Sequence, residues 1–371
     1  MIRVPGMLML GAAGRNTGKT ELACSIIGRF CADHEIVGAK VTTVLKKDGT
    51  CPRGGRGCGV CSSLEGEYCI TEETDPPPDK DTARLLAAGA VRVYWLRVMR
   101  RSLDQGLEAL LEAVGPETLT VCESNSLRLE VEPDLFLVTT EKGSDECKAS
   151  AGEVMQHADR IVVSDGESFD LDLADIDVLD GGWAMRADAS AIIMAGGESL
   201  RMGRDKAVLD VGGRPLIEQI RDRVRPHFKE IVISAADAGA YAFLGERVVP
   251  DLVGGQGPLM GIVSALEACE HDRAFVVACD MPELDVTLMK RLLRESRAAD
   301  AVIPVAPGGH IEPLFAVYTK AVLPAARAAL DSGERRIRSF FGDCELKYVH
   351  VATGPRNLNT PQDWKEYTAK P

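Results

Sequence analysis

Short apolar runs alternate with amphipathic segments along most of the 371 residues, a rhythm that predicts strands alternating with helices around largely parallel sheets. The fold class is therefore α/β. Two series can be separated, because each opens with an apolar strand that runs into a glycine-rich loop and then a helix. Met7 to Leu10 starts the first and Ala191 to Met194 the second. Between them, Asp165 to Ala189 is acidic and weakly patterned, which puts a domain boundary near Arg186. The expected domains are 1–185 and 188–371. Further apolar runs at Thr118 to Cys122 and Ala274 to Cys279 predict strands that lead into Glu123 and Asp280.

Length and composition agree with two soluble domains, since 371 residues exceed what one hydrophobic core usually serves and 45% of them are hydrophobic against 27% charged. A formal net charge of -13 repels nucleic-acid phosphates over most of the surface, so nucleic acid is not an expected partner and any phosphate chemistry must use focused cations. No run of about 18 apolar residues occurs, so no membrane span is expected, and Met1 to Leu10 lacks the basic flank and cleavage site of a signal peptide. With no export signal, the 11 cysteines are not read as a disulfide framework, and a cytoplasmic location is expected.

Ala13-Gly14-Arg15-Asn16-Thr17-Gly18-Lys19-Thr20 fits the phosphate-loop pattern, with alanine in place of the first glycine, between a strand and a helix. Backbone N–H groups of such a loop, including those around Gly14 and Gly18, cradle phosphate oxygens. Lys19 then neutralises charge and Thr20 ligates Mg²⁺. Glu123, at the end of a strand, has two readings: a carboxylate for that metal or its water, or a cap before a turn. The domain resembles the small GTP-binding adaptor of molybdopterin-guanine dinucleotide biosynthesis. The likeness runs through this loop, the Ala39-Lys40-Val41-Thr42-Thr43 strand end, and Asp79-Lys80-Asp81-Thr82 to Gly89-Ala90. It implies a P-loop NTPase-like sheet over about residues 1–160.

A cysteine-rich insert at about 46–78 departs from the adaptor pattern: Cys51, Cys58, Cys61 and Cys69 lie in a loop rich in glycine and basic residues. Four thiolates suit tetrahedral zinc or an iron–sulfur cluster, and a group of reduced or redox-active thiols is the competing reading. A four-cysteine metal site would be structural, because no coordination position is left open.

The second series reads AIIMAGGESLRMGRDKAVLDVGGRPLIEQI from Ala191, with two glycines directly after the strand and a basic cluster behind them. Gly196 and Gly197 let a nucleotide approach the backbone, and Arg201 and Lys206 neutralise triphosphate oxygens as charge moves to the leaving pyrophosphate. The spacing is not that of a dinucleotide fold, which disfavours a dehydrogenase. Asp280, before Met281-Pro282, belongs at the carboxyl end of a strand, where a hard carboxylate can share Mg²⁺ with substrate phosphates; the competing reading is a cap before a turn. Pro250 to Gly261 is glycine-rich and leads into a helix that Pro258 can open, so it reads either as a loop around base or ribose or as a plain connection.

These segments resemble the molybdenum cofactor guanylyltransferase family over residues 190–371. The marks are Met194-Ala195-Gly196-Gly197-x-Ser199-x-Arg201-Met202-Gly203-x-Asp205-Lys206, Gly257-Pro258-Leu259, Cys279-Asp280-Met281-Pro282, Gly333-Glu334-Arg335-Arg336 and Asn357-Leu358-Asn359-Thr360-Pro361. The resemblance implies a Rossmann-like nucleotidyltransferase fold of the nucleotide-diphospho-sugar transferase kind. It also implies GTP and molybdopterin as substrates, and Mg²⁺ as the metal. It carries GTP contacts onto Met194, Ala195, Gly196, Lys206 and Asp251, with Gly257 in the nearby loop and Asp280 holding nucleotide and Mg²⁺. Where some members have asparagine, this chain has Ser234. Lys206, Asp280 and Arg201 are the expected catalytic residues, while Arg335 and Arg336 read either as acceptor-phosphate contacts or as a solvated face. None of the six histidines lies in either glycine-rich motif, which suits an acceptor phosphate that is already ionised. Cytidylyl transfer, another nucleotidyl transfer to phosphate, and GTP-dependent cofactor delivery are the alternatives. Molybdenum-insertion proteins and molybdoenzymes that accept the product are the protein partners to expect.

Overall fold

The computed structural model describes residues 1–45, 64, 66–144, 147–195, 206–237, 239–358 and 360–368, with the backbone alone described at 206, 361, 365 and 368. The chain forms two compact units, Met1–Met185 and Arg186–Pro371.

The N-terminal unit contains β1 (Ile2–Ala12), α1 (Lys19–Phe30), β2 (Ile36–Val44), β3 (Tyr68–Glu72), α2 (Asp81–Ala87), β4 (Arg92–Met99), α3 (Leu103–Val114), β5 (Leu119–Glu123), β6 (Val131–Glu141), α4 (Ala149–Gly152), β7 (Arg160–Ser164), β8 (Ile176–Leu179) and β9 (Gly182–Met185). Its main sheet has seven strands in the order β3-β4-β2-β5-β1-β6-β7, all pairs parallel except β3 with β4. Successive side chains of a strand leave opposite faces, and both faces of β1 are covered. Leu8 and Leu10 pack with Leu22, Ile26 and Ile27 of α1, whereas Met7 and Met9 pack with Leu103, Leu107 and Leu110 of α3. Burial on both faces explains why the sequence shows a continuous apolar run there rather than alternation. In α1 the buried residues Leu22, Ala23, Ile26, Ile27 and Phe30 keep helical spacing, so one stripe meets the sheet.

The acidic, weakly patterned stretch Asp165 to Ala189 contains an antiparallel hairpin of β8 and β9, and the next strand begins at Ala187. Ile176, Trp183 and Met185 are buried against the α1 side of the N-terminal sheet, with the Trp183 ring edge-on to Phe30 at 5.3 Å and its Nε1–H donating to the Gly6 carbonyl. Four-residue strands punctuated by aspartates give too short a period-2 signal to read from composition.

The C-terminal unit contains β10 (Ala187–Met194), β11 (Asp210–Val211), β12 (Arg214–Pro215), α5 (Leu216–Val224), β13 (Phe228–Ser234), β14 (Arg247–Val249), α6 (Pro258–Ala268), β15 (Arg273–Ala278), α7 (Val286–Glu295), β16 (Ala301–Ala306), β17 (His310–Ile311), β18 (Phe315–Thr319), α8 (Leu323–Asp331), β19 (Leu346–His350) and α9 (Pro361–Thr368). Eight strands form a mixed sheet in the order β14-β13-β10-β15-β18-β16-β17, with β19 added parallel to β16. The first four strands are mutually parallel, and β18 runs antiparallel to both β15 and β16. Again the central strand is buried on both faces. Ala191 and Ile193 pack with residues of α5 and α7, and Ile192 and Met194 with residues of α6 and α8. Asp285 caps α7 by accepting from the Leu288 N–H at 2.9 Å. Among the described residues no helix is long and apolar enough to cross a membrane.

Candidate functional sites

In the N-terminal unit, the loop from Ala13 to Gly18 joins the carboxyl end of β1 to the first turn of α1. Three elements hold it. Ala13 N–H donates to the Thr139 carbonyl on β6 (2.8 Å), and Ala12 exchanges two hydrogen bonds with the Asn125 amide beyond β5 (2.8 and 3.0 Å). Lys148 donates from its backbone to Ala13 O and from its ammonium to Gly14 O, while the Thr17 and Thr139 hydroxyls meet at 2.7 Å. Asn16 and Gly18 take positive φ (55° and 79°). At Gly18 glycine is required twice over, because a Cβ would also lie 2.8 Å from the Phe169 ring.

Sheet order sets the charge chemistry. Since β5 lies beside β1, Glu123 at its end faces the start of α1, and Lys19 Nζ stands 3.3 Å from Glu123 Oε2. The Glu123 side chain is wholly buried, and neither oxygen has a hydrogen-bond partner among the described residues. It therefore does not cap a turn; its compensation is the lysine charge. Thr20 lies in the first turn of α1, buried. Next to this pair, burial pushes the Cys122 thiol up to about 12, with Lys19 opposing and Glu123 adding to the rise. A cavity of about 1370 Å³ opens over the loop, lined by residues 14–20 and by Lys40, Thr42, Asp81, Arg84, Arg100, Lys148 and Phe169. Focused cations thus line a cavity in an acidic chain.

Of the cysteine group, Cys51, Cys58 and Cys61 lie outside the described residues. Cys69 is on β3, where its sulfur accepts from the Arg97 guanidinium at 3.1 Å. Among the described residues no group of three or more His, Cys, Asp or Glu side chains is placed to hold a metal.

In the C-terminal unit the parallel strands β13, β10 and β15 end together. Met194 O accepts from Cys279 N–H (3.0 Å) and Ala195 N–H donates to Ser234 O (2.8 Å), so the strand ends are tied across the sheet. The Tyr241 hydroxyl donates to Ala195 O at 3.1 Å. Gly196, Gly197 and Arg201 lie outside the described residues, and Lys206 opens a short 3-10 turn, Lys206–Val208. Asp280 stands two residues beyond β15, and its carbonyl accepts from Leu358 N–H at 2.8 Å.

Gly261, in the first turns of α6, is where several predicted positions converge. A Cβ there would lie 2.7 Å from Met194 Cε, 2.8 Å from Ser234 Oγ and 3.4 Å from Asp251 Oδ1. Ser234, at the position of the missing asparagine, is buried and turns its hydroxyl to the Gly261 carbonyl (3.2 Å). Burial raises the Asp251 carboxyl above its ordinary range. Gly257 (φ 76°) caps the start of α6 with Pro258 behind it. Arg335 donates to the Leu330 and Glu334 carbonyls (3.1 and 2.9 Å), so it closes the end of α8.

Glu312, between β17 and β18, is a site residue without a motif in the sequence. Its Oε2 accepts from Asn357 Nδ2 at 3.1 Å. Burial raises its carboxyl, Asn357 and the Leu314 N–H oppose the rise, and the Asp280 charge adds to it. A glutamate before a proline carries no local signal; only strand pairing brings it to the Asp280 side of the sheet.

Residues 191–349 match the family model of the MobA-like NTP transferase domain. A probable molybdenum cofactor guanylyltransferase of Pelotomaculum thermopropionicum is 35% identical over 184 residues, covering 47% of this chain and 89% of the relative. The molybdenum cofactor guanylyltransferase of Vibrio parahaemolyticus is 32% identical over 183 residues (48% and 94%). That of Pseudomonas putida is 37% identical over 186 residues (48% and 96%).

Proposed function

Since the chain belongs, through its C-terminal unit, to the molybdenum cofactor guanylyltransferase family, we propose that it transfers GMP from GTP to the terminal phosphate of molybdopterin. The products are molybdopterin guanine dinucleotide and pyrophosphate. The observation that supports the chemistry is the packing of Met194, Ser234 and Asp251 around Gly261 at the carboxyl ends of β10, β13 and β14, with Asp280 just beyond the end of β15, whose Cys279 N–H is bonded to Met194 O; open α/β sheets take their ligands at such strand ends.

An acceptor phosphate oxygen forms the new bond to the α-phosphorus of GTP as the bond to the β-phosphate oxygen breaks. The nucleophile is ionised at neutral pH and needs no general base. Asp280, a hard carboxylate two residues beyond the carboxyl end of β15, would hold Mg²⁺ shared with the phosphates. Such an ion, when bound, offsets charge on the α-phosphate and the departing pyrophosphate. Lys206 and Arg201 add positive charge to the same groups. Met194, Ala195, Gly196 and Gly197 admit the nucleotide against the backbone, and Asp251 with the Gly257 loop borders it.

The test is to give the protein GTP or CTP with Mg²⁺ and molybdopterin and to identify the product by mass. Guanine dinucleotide is expected, and its loss in Lys206→Ala and Asp280→Ala proteins that remain folded. Exclusive use of CTP, or full activity in both variants, refutes the reading.

A second nucleotide site is proposed in the N-terminal unit, because its loop conformation, Lys19 and Thr20 together suit a triphosphate with Mg²⁺. This unit would act as a GTP-dependent adaptor for cofactor delivery. Lys19→Ala, combined with Glu123→Met so that no buried charge is left unpaired and compared with Glu123→Met alone, should then weaken handover to an acceptor enzyme and leave dinucleotide formation intact; loss of dinucleotide formation would instead mean that the units are catalytically coupled.

A further inference from the structure

We propose that Glu312 is a positioning residue for guanylyl transfer, one that sets the direction of the Asn357 amide so that its oxygen is presented to a hydrogen-bond donor of a bound substrate. The inference rests on the functional reading above and deepens it.

The two ends of a carboxamide are nearly equal in size and opposite in polarity, so the neighbours decide which end points where. A carboxylate accepts and does not donate. Glu312 Oε2, 3.1 Å from Asn357 Nδ2, therefore takes the amino end. Flipping the amide would set oxygen against oxygen. Glu312 is itself held at both backbone ends, its N–H donating to Pro304 O and its carbonyl accepting from Phe315 N–H, each at 3.1 Å. The amide thus has one orientation, dictated from a fixed point on the sheet.

That orientation leaves Asn357 Oδ1 shut off from water and without a hydrogen-bond partner among the described residues. A buried acceptor in that state costs free energy until a donor arrives. Its place is at the candidate site, because the next residue, Leu358, donates its N–H to the Asp280 carbonyl at 2.8 Å. If the pair only pinned this segment to the sheet, the amide oxygen would have no use. The donor it suits is an O–H or N–H group. Guanine and pterin both present amino and ring N–H groups, and GTP adds ribose hydroxyls, so either substrate can supply it.

The experiment uses the full chain once wild-type guanine dinucleotide formation has been established; a wild type without that activity fails the functional reading, not this one. Steady-state kinetics with GTP and with the pterin acceptor varied separately are compared for wild type, Glu312→Leu, Asn357→Ala and the double variant, with thermal unfolding of each. Glu312→Leu, which leaves no acceptor for the amide, should lower kcat/KM by about 10- to 100-fold, the cost of removing the partner that orients a ligand in metal sites, and Asn357→Ala at least as much. The unfolding temperature should change little, and the double variant should be no worse than Asn357→Ala alone. A rise confined to the KM of GTP, or to that of the pterin, identifies which substrate carries the donor. Equal further loss when Glu312→Leu is added to Asn357→Ala overturns the proposal, because Glu312 would then act independently of the amide. Full kcat/KM in Asn357→Ala overturns it as well, whether or not Glu312→Leu folds.

Discussion

Replacing Lys19 by alanine should destabilise the N-terminal unit before any nucleotide is considered. Glu123 is wholly buried, accepts no hydrogen bond from a described residue, and is compensated by an ammonium 3.3 Å away. Removing one partner of a buried ion pair leaves an uncompensated charge and typically costs about 3–5 kcal/mol, whereas replacing both by well-packed apolar groups of similar volume is often close to neutral. Lys19→Ala should fall near the lower end of that range, since its side chain keeps 25% exposure. Adding Glu123→Met, which leaves neither a charge nor an unpaired amide in the buried site, should recover most of the loss. The chain has three tryptophans, Trp95 and Trp183 in the N-terminal unit and Trp364 in the C-terminal one. In a Trp364→Phe background, urea unfolding followed by tryptophan fluorescence therefore reports the N-terminal unit. If Lys19→Ala costs less than about 1 kcal/mol, or the double variant is no more stable than the single, the pair is not the buried compensation inferred here. The result also governs how any Lys19 variant is read: only the double variant separates lost phosphate binding from lost folding.

Three further outcomes follow from the same structure. His227 is held down to about 4 by burial, with the Lys290 charge adding to the effect, so it folds neutral. Its ordinary value is 6.5, so the stability it contributes is fully present above that pH and is lost as pH falls toward 4, by about 2 kcal/mol between pH 7 and 5. Denaturant midpoints of His227→Gln should show a shallower loss over that interval; an unchanged slope rules His227 out as the titrating group. Gly261→Ala drives a methyl into Met194 and Ser234 and should cost about 1–3 kcal/mol, read from unfolding of the C-terminal unit through Trp364, and should raise the KM for GTP. A fully stable and active variant would mean that the strand ends can part there. Gly18→Ala meets both a positive φ and the Phe169 ring, so binding of a fluorescent GTP analogue to the N-terminal unit should fall sharply. Unchanged binding would show that the loop opens at no cost.

Legibility in the sequence followed the range of the interaction. Met7–Leu10, Ala191–Met194 and most of Ala274–Cys279 were legible as strands because burial on both faces leaves continuous apolar runs. Asp280 stood out for a local reason, a carboxylate at the point where an apolar run stops at proline. The Lys19–Glu123 pair joins residues 104 positions apart and exists only because β5 inserts beside β1. Glu312 and Asn357 are 45 positions apart and depend on the pairing of β16 with β17 and β18. Neither partner advertises the other. The hairpin at Ile176–Met185 was not legible for a third reason: its order comes from Trp183 packing under α1, within a stretch whose own composition is acidic and weakly patterned.

The placement of β19 has a consequence for the order in which the protein is made. Every described element of the N-terminal unit, the β8–β9 hairpin included, is present once residue 185 has emerged from the ribosome, so that unit can fold while the rest is still being synthesised. The C-terminal sheet must wait, because β16, complete at Ala306, finds its parallel partner only at Leu346–His350, and the Asn357 amide follows later still. Nascent chains halted between these points would carry a finished first unit beside a sheet with one edge unpaired, the state most open to aggregation and most in need of a chaperone.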